Sequence, residues 1–358
     1  MSKQSLNATA IMGMLLVAFS GCAGTETTSI GKKTDDQLTK KILFISNGDG
    51  DHEIYLIGKP GAPPVQLTDN DMDDTQAVWS PDGKHIAFTS MRDGNPEIYI
   101  MGANGGHQVR LTQHAGLDST PQWSPDGSRL VFVSNRDKTE NIYVMNIADH
   151  DVRKISDSEA GVNDPKWSPD GKHISYIERI SGAKGSDLIL VTPDGAEKRK
   201  LTRSDNNKRV TVQYSWSPDS SKIAVAATLN HAINIYSVHV DGTGETQLTK
   251  TPEANDVYPQ WSPDGKKILF LSQRDNMVRN QIYLMNDDGS GQENLTKDEN
   301  EYENPAWTPD GNWITFSGFE DRRFVAGIMR PDGTDRSRLS NDPGFQFQPL
   351  SANQIDKN

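Results

Sequence analysis

Residues 123–127 read Trp-Ser-Pro-Asp-Gly, and the same five residues begin at Trp79, Trp167 and Trp261. Two variants begin at Trp216, where Ser220 replaces the glycine, and at Trp307, where Thr308 replaces the serine. Successive tryptophans are 44, 44, 49, 45 and 46 residues apart. A period of this size marks a repeat architecture. Ser-Pro-Asp-Gly is a turn for stated reasons: proline pre-sets φ at the second corner, aspartate suits the third, and glycine tolerates φ > 0 at the exit. The chain therefore doubles back once per repeat.

Working outward from the turn, each unit divides into four short pieces. Proline often stands two residues before the tryptophan, as at Pro121, Pro165, Pro259 and Pro305. After the turn comes an alternating apolar stretch such as Ile86-Ala87-Phe88-Thr89-Ser90 or Ile268-Leu269-Phe270-Leu271-Ser272. Alternation with period 2 fits a pleated strand. A polar loop, often Ser-x-Arg-Asp, precedes an Ile-Tyr strand at Ile54, Ile98, Ile142, Ile235 and Ile282. A fourth piece ends in Leu-Thr at Leu67, Leu111, Leu201, Leu248 and Leu295, with weaker copies at Ile155-Ser156 and Leu339-Ser340. Second strands begin near Ile42, Ile86, Leu130, Ile174, Ile223, Ile268 and Ile314, seven in all, whereas clear tryptophan strands number six. The missing first strand is expected from Phe345-Gln346-Phe347-Gln348-Pro349-Leu350-Ser351. The sequence thus predicts an all-β fold, a seven-bladed β-propeller over residues 40–352 with one blade shared by both chain ends and a short tail over 353–358. Such closure removes exposed sheet edges.

Composition agrees. Of 358 residues only 34% are hydrophobic and 7% aromatic, with 30 Gly and 19 Pro, a mix that disfavours a multi-span membrane protein or a helical bundle. Lys plus Arg number 37 against 49 Asp plus Glu, a formal net charge of −12, so generic binding to nucleic-acid phosphates is disfavoured. The single cysteine, Cys22, excludes an internal disulfide and a cysteine-rich metal site. It follows Lys3, an apolar run from Ile11 to Phe19, and the small residues Ser20 and Gly21, the layout of a secretory signal peptide over residues 1–21. Residues 22–39, rich in Thr, Gly, Lys and Asp, read as a flexible tether.

The Trp-Ser-Pro-Asp-Gly, Ser-x-Arg-Asp, Ile-Tyr and Leu-Thr signatures resemble those of the TolB-like β-propeller repeat family. That family includes the periplasmic propeller of the Tol envelope system, the propellers attached to prolyl oligopeptidase-type hydrolases, and oligogalacturonate lyases. Phe19-Ser20-Gly21-Cys22 resembles a bacterial lipoprotein box, which implies lipidation of Cys22 as the mature N-terminus. Ala23, not aspartate, follows the cysteine; by resemblance to the enteric sorting rule this implies a periplasmic protein anchored to the outer membrane.

In a propeller, the loops that enter the tryptophan strands share one face with the loops between second and third strands. The entering segments carry Asp74, Asp118, Asp164, Asp256, Tyr258, Tyr302, Glu303, Gln346 and Phe347, so an acidic channel mouth with aromatic edges is expected. A funnel of one charge sign suits a basic or amphipathic protein segment, or a cation. Arg92-Asp93, Arg136-Asp137 and Arg274-Asp275 recur with the fold and read as structural pairs. Asp69-Asn70-Asp71-Met72-Asp73 resembles the start of a calcium loop, but Asp74 stands where that loop needs glycine and Ser80 where it needs glutamate. A looser calcium site is the one cofactor expectation; no catalytic or other metal residues are assigned. No Gly-x-Ser-x-Gly elbow is present, which sets aside the oligopeptidase chemistry, and the eight histidines form no His-Glu-x-x-His pattern. The expected function is a monomeric, non-enzymatic envelope lipoprotein that scaffolds another protein, with membrane contact through lipid alone. The alternative is a carbohydrate-active lyase or glycan binder, with Tyr258, Tyr302 and Phe347 stacking on sugar rings.

Overall fold

Each Ser-Pro-Asp-Gly segment closes a hairpin through one repeated set of hydrogen bonds. Ser80 Oγ donates to Asp82 at 2.6 Å, the Lys84 N–H donates to the same carboxylate at 3.1 Å, and the His85 N–H donates to Ser80 Oγ at 2.9 Å. Gly83 takes φ +67°, and Ser220 holds +62° at its place in the variant turn. The accepted hydrogen bonds favour the ionised carboxylate, so Asp126, held first by Ser124 in the same turn, is lowered to about 2.

The computed structural model describes residues 41–48, 50–181, 185–204, 208–229, 231–320, 322–339 and 348–349, all within one compact unit, Thr34–Asn358. The expectations for Cys22, the signal peptide, the tether, Gln346, Phe347 and the tail fall outside these residues. Those described contain strands and no helix. The strands form antiparallel sheets in which chain order is spatial order. One sheet holds Asp74–Trp79, His85–Ser90, Glu97–Gly102 and Val109–Arg110; the next holds Asp118–Trp123, Arg129–Ser134, Asn141–Asn146 and Val152–Lys154. Asp256–Trp261, Lys267–Ser272, Gln281–Asn286 and Glu293–Asn294 repeat the pattern, as do Glu301–Trp307, Ile314–Glu320, Arg323–Met329 and Ser337–Arg338.

Two arrangements depart from this. The units beginning at Val162 and Lys208 merge into one eight-stranded sheet, because Ser186 pairs with Val210. The second unit also has longer strands, Lys208–Trp216, Lys222–Leu229 and Ala232–His239, of which the first lies within the 49-residue interval that ends at Trp216. In the sheet of Ile42–Ser46, Glu53–Ile57 and Val65–Gln66, the fourth strand is Gln348–Pro349, with Ile45 opposite Gln348 and Phe44 opposite Pro349.

The core lies between neighbouring four-strand units. Trp79, 3% exposed, packs with Leu43, Ile54 and Leu56 of the preceding unit and with Ile86 and Phe88 of its own. Seven such clusters join consecutive units, and one places Trp313, Ala326, Ile328 and Leu339 against Ile42, Phe44, Tyr55 and Ile57 of the first. Each large apolar side chain buried this way contributes about 1.5–3 kcal/mol.

Candidate functional site

The first strand of a unit carries a β-bulge three residues before its tryptophan. Pairing shifts register between Thr75 and Val78, Ser119 and Gln122, Asn163 and Lys166, Val210 and Tyr214, Val257 and Gln260, and Glu303 and Ala306. Gln76, Thr120, Asp164, Tyr258 and Asn304 consequently take φ of 50–55°. Bulges re-aim side chains. Here they also stitch neighbouring units: Gln76 Oε1 accepts from the Thr120 N–H at 2.8 Å, and Gln213 Oε1 from the Tyr258 N–H at 3.2 Å.

Asp164, Tyr258 and Glu303, three of the expected site residues, come from three different units, and the charges of both carboxylates reach Tyr258. Burial raises the Tyr258 phenol, and the charges of Glu303 and Asp164 raise it further. Burial also raises Glu303, assisted by Glu301, and it raises Asp164 against the opposing pull of Lys166, 3.2 Å away. Asp164 keeps 37% of its side-chain surface open, so it reaches solvent instead of sitting in packed core. Lys166 Nζ in turn donates to the Tyr214 carbonyl at 2.6 Å. Tyr258 is 40% exposed. These first strands therefore bring two carboxylates within electrostatic reach of one exposed aromatic ring.

Three other expected site residues do not belong to it. Asp74, Asp118 and Asp256 are fully buried and bonded to the arginines of Ser-x-Arg-Asp: Arg92 to Asp74 at 2.5 Å, Arg136 to Asp118 at 2.8 Å and Arg274 to Asp256 at 3.0 Å. The arginines lie over Tyr99, Tyr143 and Tyr283 at 4.9, 4.7 and 4.7 Å from the ring centres. Those tyrosines donate to Asp93, Asp137 and Asp275. Each of the three units thus closes an aspartate–arginine–tyrosine–aspartate chain that ties its first strand to its loop, consuming the carboxylates expected at the mouth. Tyr302 is also withdrawn: it is 1% exposed, packs edge-on against Phe316 at 5.4 Å, and donates to Asp298 at 2.8 Å.

Apolar exposure is concentrated where first strands begin and second strands finish. Of the eight large hydrophobic side chains exposed among the described residues, Met72 and Leu117 lie in entering loops, Met277 and Val278 in a second-to-third loop, Phe319 at the end of a second strand, and Tyr258 at a bulge. Only Val65 and Val109, on fourth strands, lie elsewhere. Among the described residues no three His, Cys, Asp or Glu side chains are grouped to hold a metal ion. Asp73 of the expected calcium loop is instead bound by His52 at 3.0 Å.

Comparison with known proteins fits this geometry. The TolB beta propeller domain matches residues 91–213 and again 197–349, and the N-terminal propeller of tricorn protease matches residues 36–141. The chain belongs to the TolB beta propeller family. It is 37% identical over 75 residues to the Tol-Pal system protein TolB of Geobacter sulfurreducens, a match covering 21% of this chain and 16% of that one. A solved putative TolB from Agrobacterium tumefaciens aligns with a TM-score of 0.54 at 25% identity, over 70% of this chain and 91% of that one. An oligogalacturonate lyase solved with manganese aligns at TM-score 0.65 and 17% identity, over 77% and 82%, a likeness of fold alone. The chain spans less than half the length of the curated relatives it matches.

Proposed function

We propose that the seven strand units form a closed seven-bladed propeller, with Gln348–Pro349 completing the blade begun by Ile42–Ser46, and that this propeller is a non-catalytic scaffold of the cell envelope. In this reading the chain is a lipoprotein held through Cys22 at the outer membrane and facing the periplasm. Its docking face is the one that carries Met72, Leu117, Tyr258, Met277, Val278 and Phe319 around the carboxylates of Asp164 and Glu303. The observation that carries the proposal is that six of the eight exposed large hydrophobic side chains among the described residues lie at or near first-strand entries and second-strand ends, positions that share one face in a propeller. Acidity beside the apolar groups favours a basic, amphipathic protein segment.

The test is capture from crosslinked envelopes with wild type, with Tyr258→Ala, and with Met277→Ser combined with Val278→Ser. Loss of one partner in the variants, with unfolding midpoints unchanged, supports the proposal; equal capture by all three proteins overturns it. The alternative of a polysaccharide lyase draws on the fold it shares with oligogalacturonate lyase. Carboxylates on the docking face disfavour an acidic polysaccharide there, and release of unsaturated products from pectate-type substrates would reverse the preference.

A further inference from the structure

A residue among the first three of the third strand acts as a buried latch in six of the units. The carboxylate or amide oxygen of Glu53, Glu97, Asn141, Asp187, Asn234 or Gln281 accepts the backbone N–H of the residue 17 positions on, in the loop leading to the next unit. Where the latch is a carboxylate, a cation 13 residues later faces it from the fourth strand: Arg110 reaches Glu97 at 2.7 Å, and Lys200 reaches Asp187 at 2.7 Å. Glu53 departs from this rule. The position that pairs across from Tyr55, as Arg110 pairs from Tyr99, is Gln66.

Glu53 is fully buried all the same. Its Oε1 accepts from the Asn70 N–H at 2.7 Å and from Asn70 Nδ2 at 3.2 Å, and the same amide donates to Asp74 at 2.9 Å, so two carboxylates share one side chain. Asp74 is already bound to Arg92, and Asp74 Oδ1 is buried with no hydrogen-bond partner. The other charged groups facing the seam are Asp51 and the His52–Asp73 pair. Burial therefore pushes the Glu53 carboxyl up to about 7, against the Thr68 hydroxyl and the Asn70 N–H, and the charges of Asp74 and Asp51 raise it further.

We propose that Glu53 is a proton-operated latch on the loop from Thr68 to Asp73: protonated, it lets the loop close over it; ionised and without the cation its sisters have, it drives the loop open to water. The reasoning is linkage. Opening that hydrates the carboxylate returns it toward its ordinary value, so ionisation favours the open loop. The loop carries Met72, so the latch would set the shape of one sector of the docking face; that consequence rests on the docking proposal, whereas the latch does not.

Two substitutions test it in the full chain. Glu53→Gln copies the amide latch of Gln281, and Gln66→Arg supplies the cation that Glu97 has. Wild type should lose folding equilibrium between about pH 4.5 and 7, on the order of 10²-fold at completion. Both variants should flatten this slope, and Glu53→Gln should match wild type near pH 5 and exceed it at pH 8. Amide exchange of Asn70 and Met72, corrected for intrinsic rates, should accelerate from pH 6 to 8 in wild type only. Parallel pH profiles for wild type and Gln66→Arg, or a Glu53 carboxyl signal titrating near 4.5, would overturn the latch. A latch that titrates as stated in a protein that captures no partner would leave the latch standing and remove only the docking proposal.

Discussion

Replacing Arg136 by methionine removes the cation while keeping most of the apolar stem, and it isolates the role assigned to Asp118. The wild-type arginine donates to Asp118 at 2.8 Å and to Ser134 Oγ at 3.0 Å, and it stacks on Tyr143 at 4.7 Å. Asp118 has no exposed surface, and burial raises its carboxyl even with the arginine present. Taking away one partner of a buried pair costs about 3–5 kcal/mol, because the other charge is left uncompensated in low dielectric. The stacking contact adds about 0.5–1 kcal/mol. Asp118→Asn in the same background should recover about 1–3 kcal/mol, since the amide carries no charge. The sign of the pH response follows. Without Arg136 the folded-state carboxyl rises further above its unfolded value, so the charge-dependent part of the deficit is absent well below pH 4, where only the stacking loss remains, and it grows as pH rises from the wild-type folded value to the new one. Urea midpoints for the four proteins of this cycle, at pH 4 and pH 8, give the numbers. A single-variant loss under 1 kcal/mol, or a loss larger at pH 4 than at pH 8, would refute the view that Asp118 is a structural carboxylate.

Gln76→Ala should cost about 1–2 kcal/mol in unfolding experiments, because Gln76 accepts from both Thr89 Oγ1 and the Thr120 N–H and so joins two units. Gly327→Ala should cost about 1–3 kcal/mol or force a rearrangement, since an added Cβ would stand 2.3 Å from the Phe316 ring; a thermal melt reports it. Tyr258→Ala, by contrast, should leave stability within about 1 kcal/mol of wild type, because its side chain is 40% exposed, and it should weaken partner capture.

Most of the fold was legible because its signals are local and repeated. Ser-Pro-Asp-Gly dictates a turn by proline and glycine geometry, and the apolar stretches Ile86–Ser90 and Ile268–Ser272 mark strands, which the structure buries on both faces because units pack on either side. The merging of two units through Ser186 and Val210 was not legible, since it depends on the longer strands around Lys208–Trp216. The site was legible only in part. The charges of Asp164 and Glu303 reach Tyr258, but Asp74, Asp118 and Asp256 belong to ion pairs. A sequence signal for this existed: each stands 18 residues before the arginine that binds it, a constant interval that follows from one hairpin linking first strand to second loop. The Glu53 latch was harder to see, because its meaning lies in Gln66, a residue conspicuous only once the cross-strand register shows that Arg110 and Lys200 hold the equivalent place. Packing of Tyr302 beneath Phe316 is a tertiary fact that no local pattern encodes.

The proposed closure of the ring by the two ends of the propeller is open to a crosslink. With Cys22→Ser as background, Ile45→Cys and Gln348→Cys place one thiol on each paired strand. In a closed ring the pair oxidises in the native protein, resists alkylation, and raises the unfolding temperature, because the bond closes a loop of about 300 residues worth upwards of about 4 kcal/mol in the unfolded chain. Two thiols that remain fully alkylatable under native conditions, with an unfolding temperature unchanged by oxidant, would contradict closure.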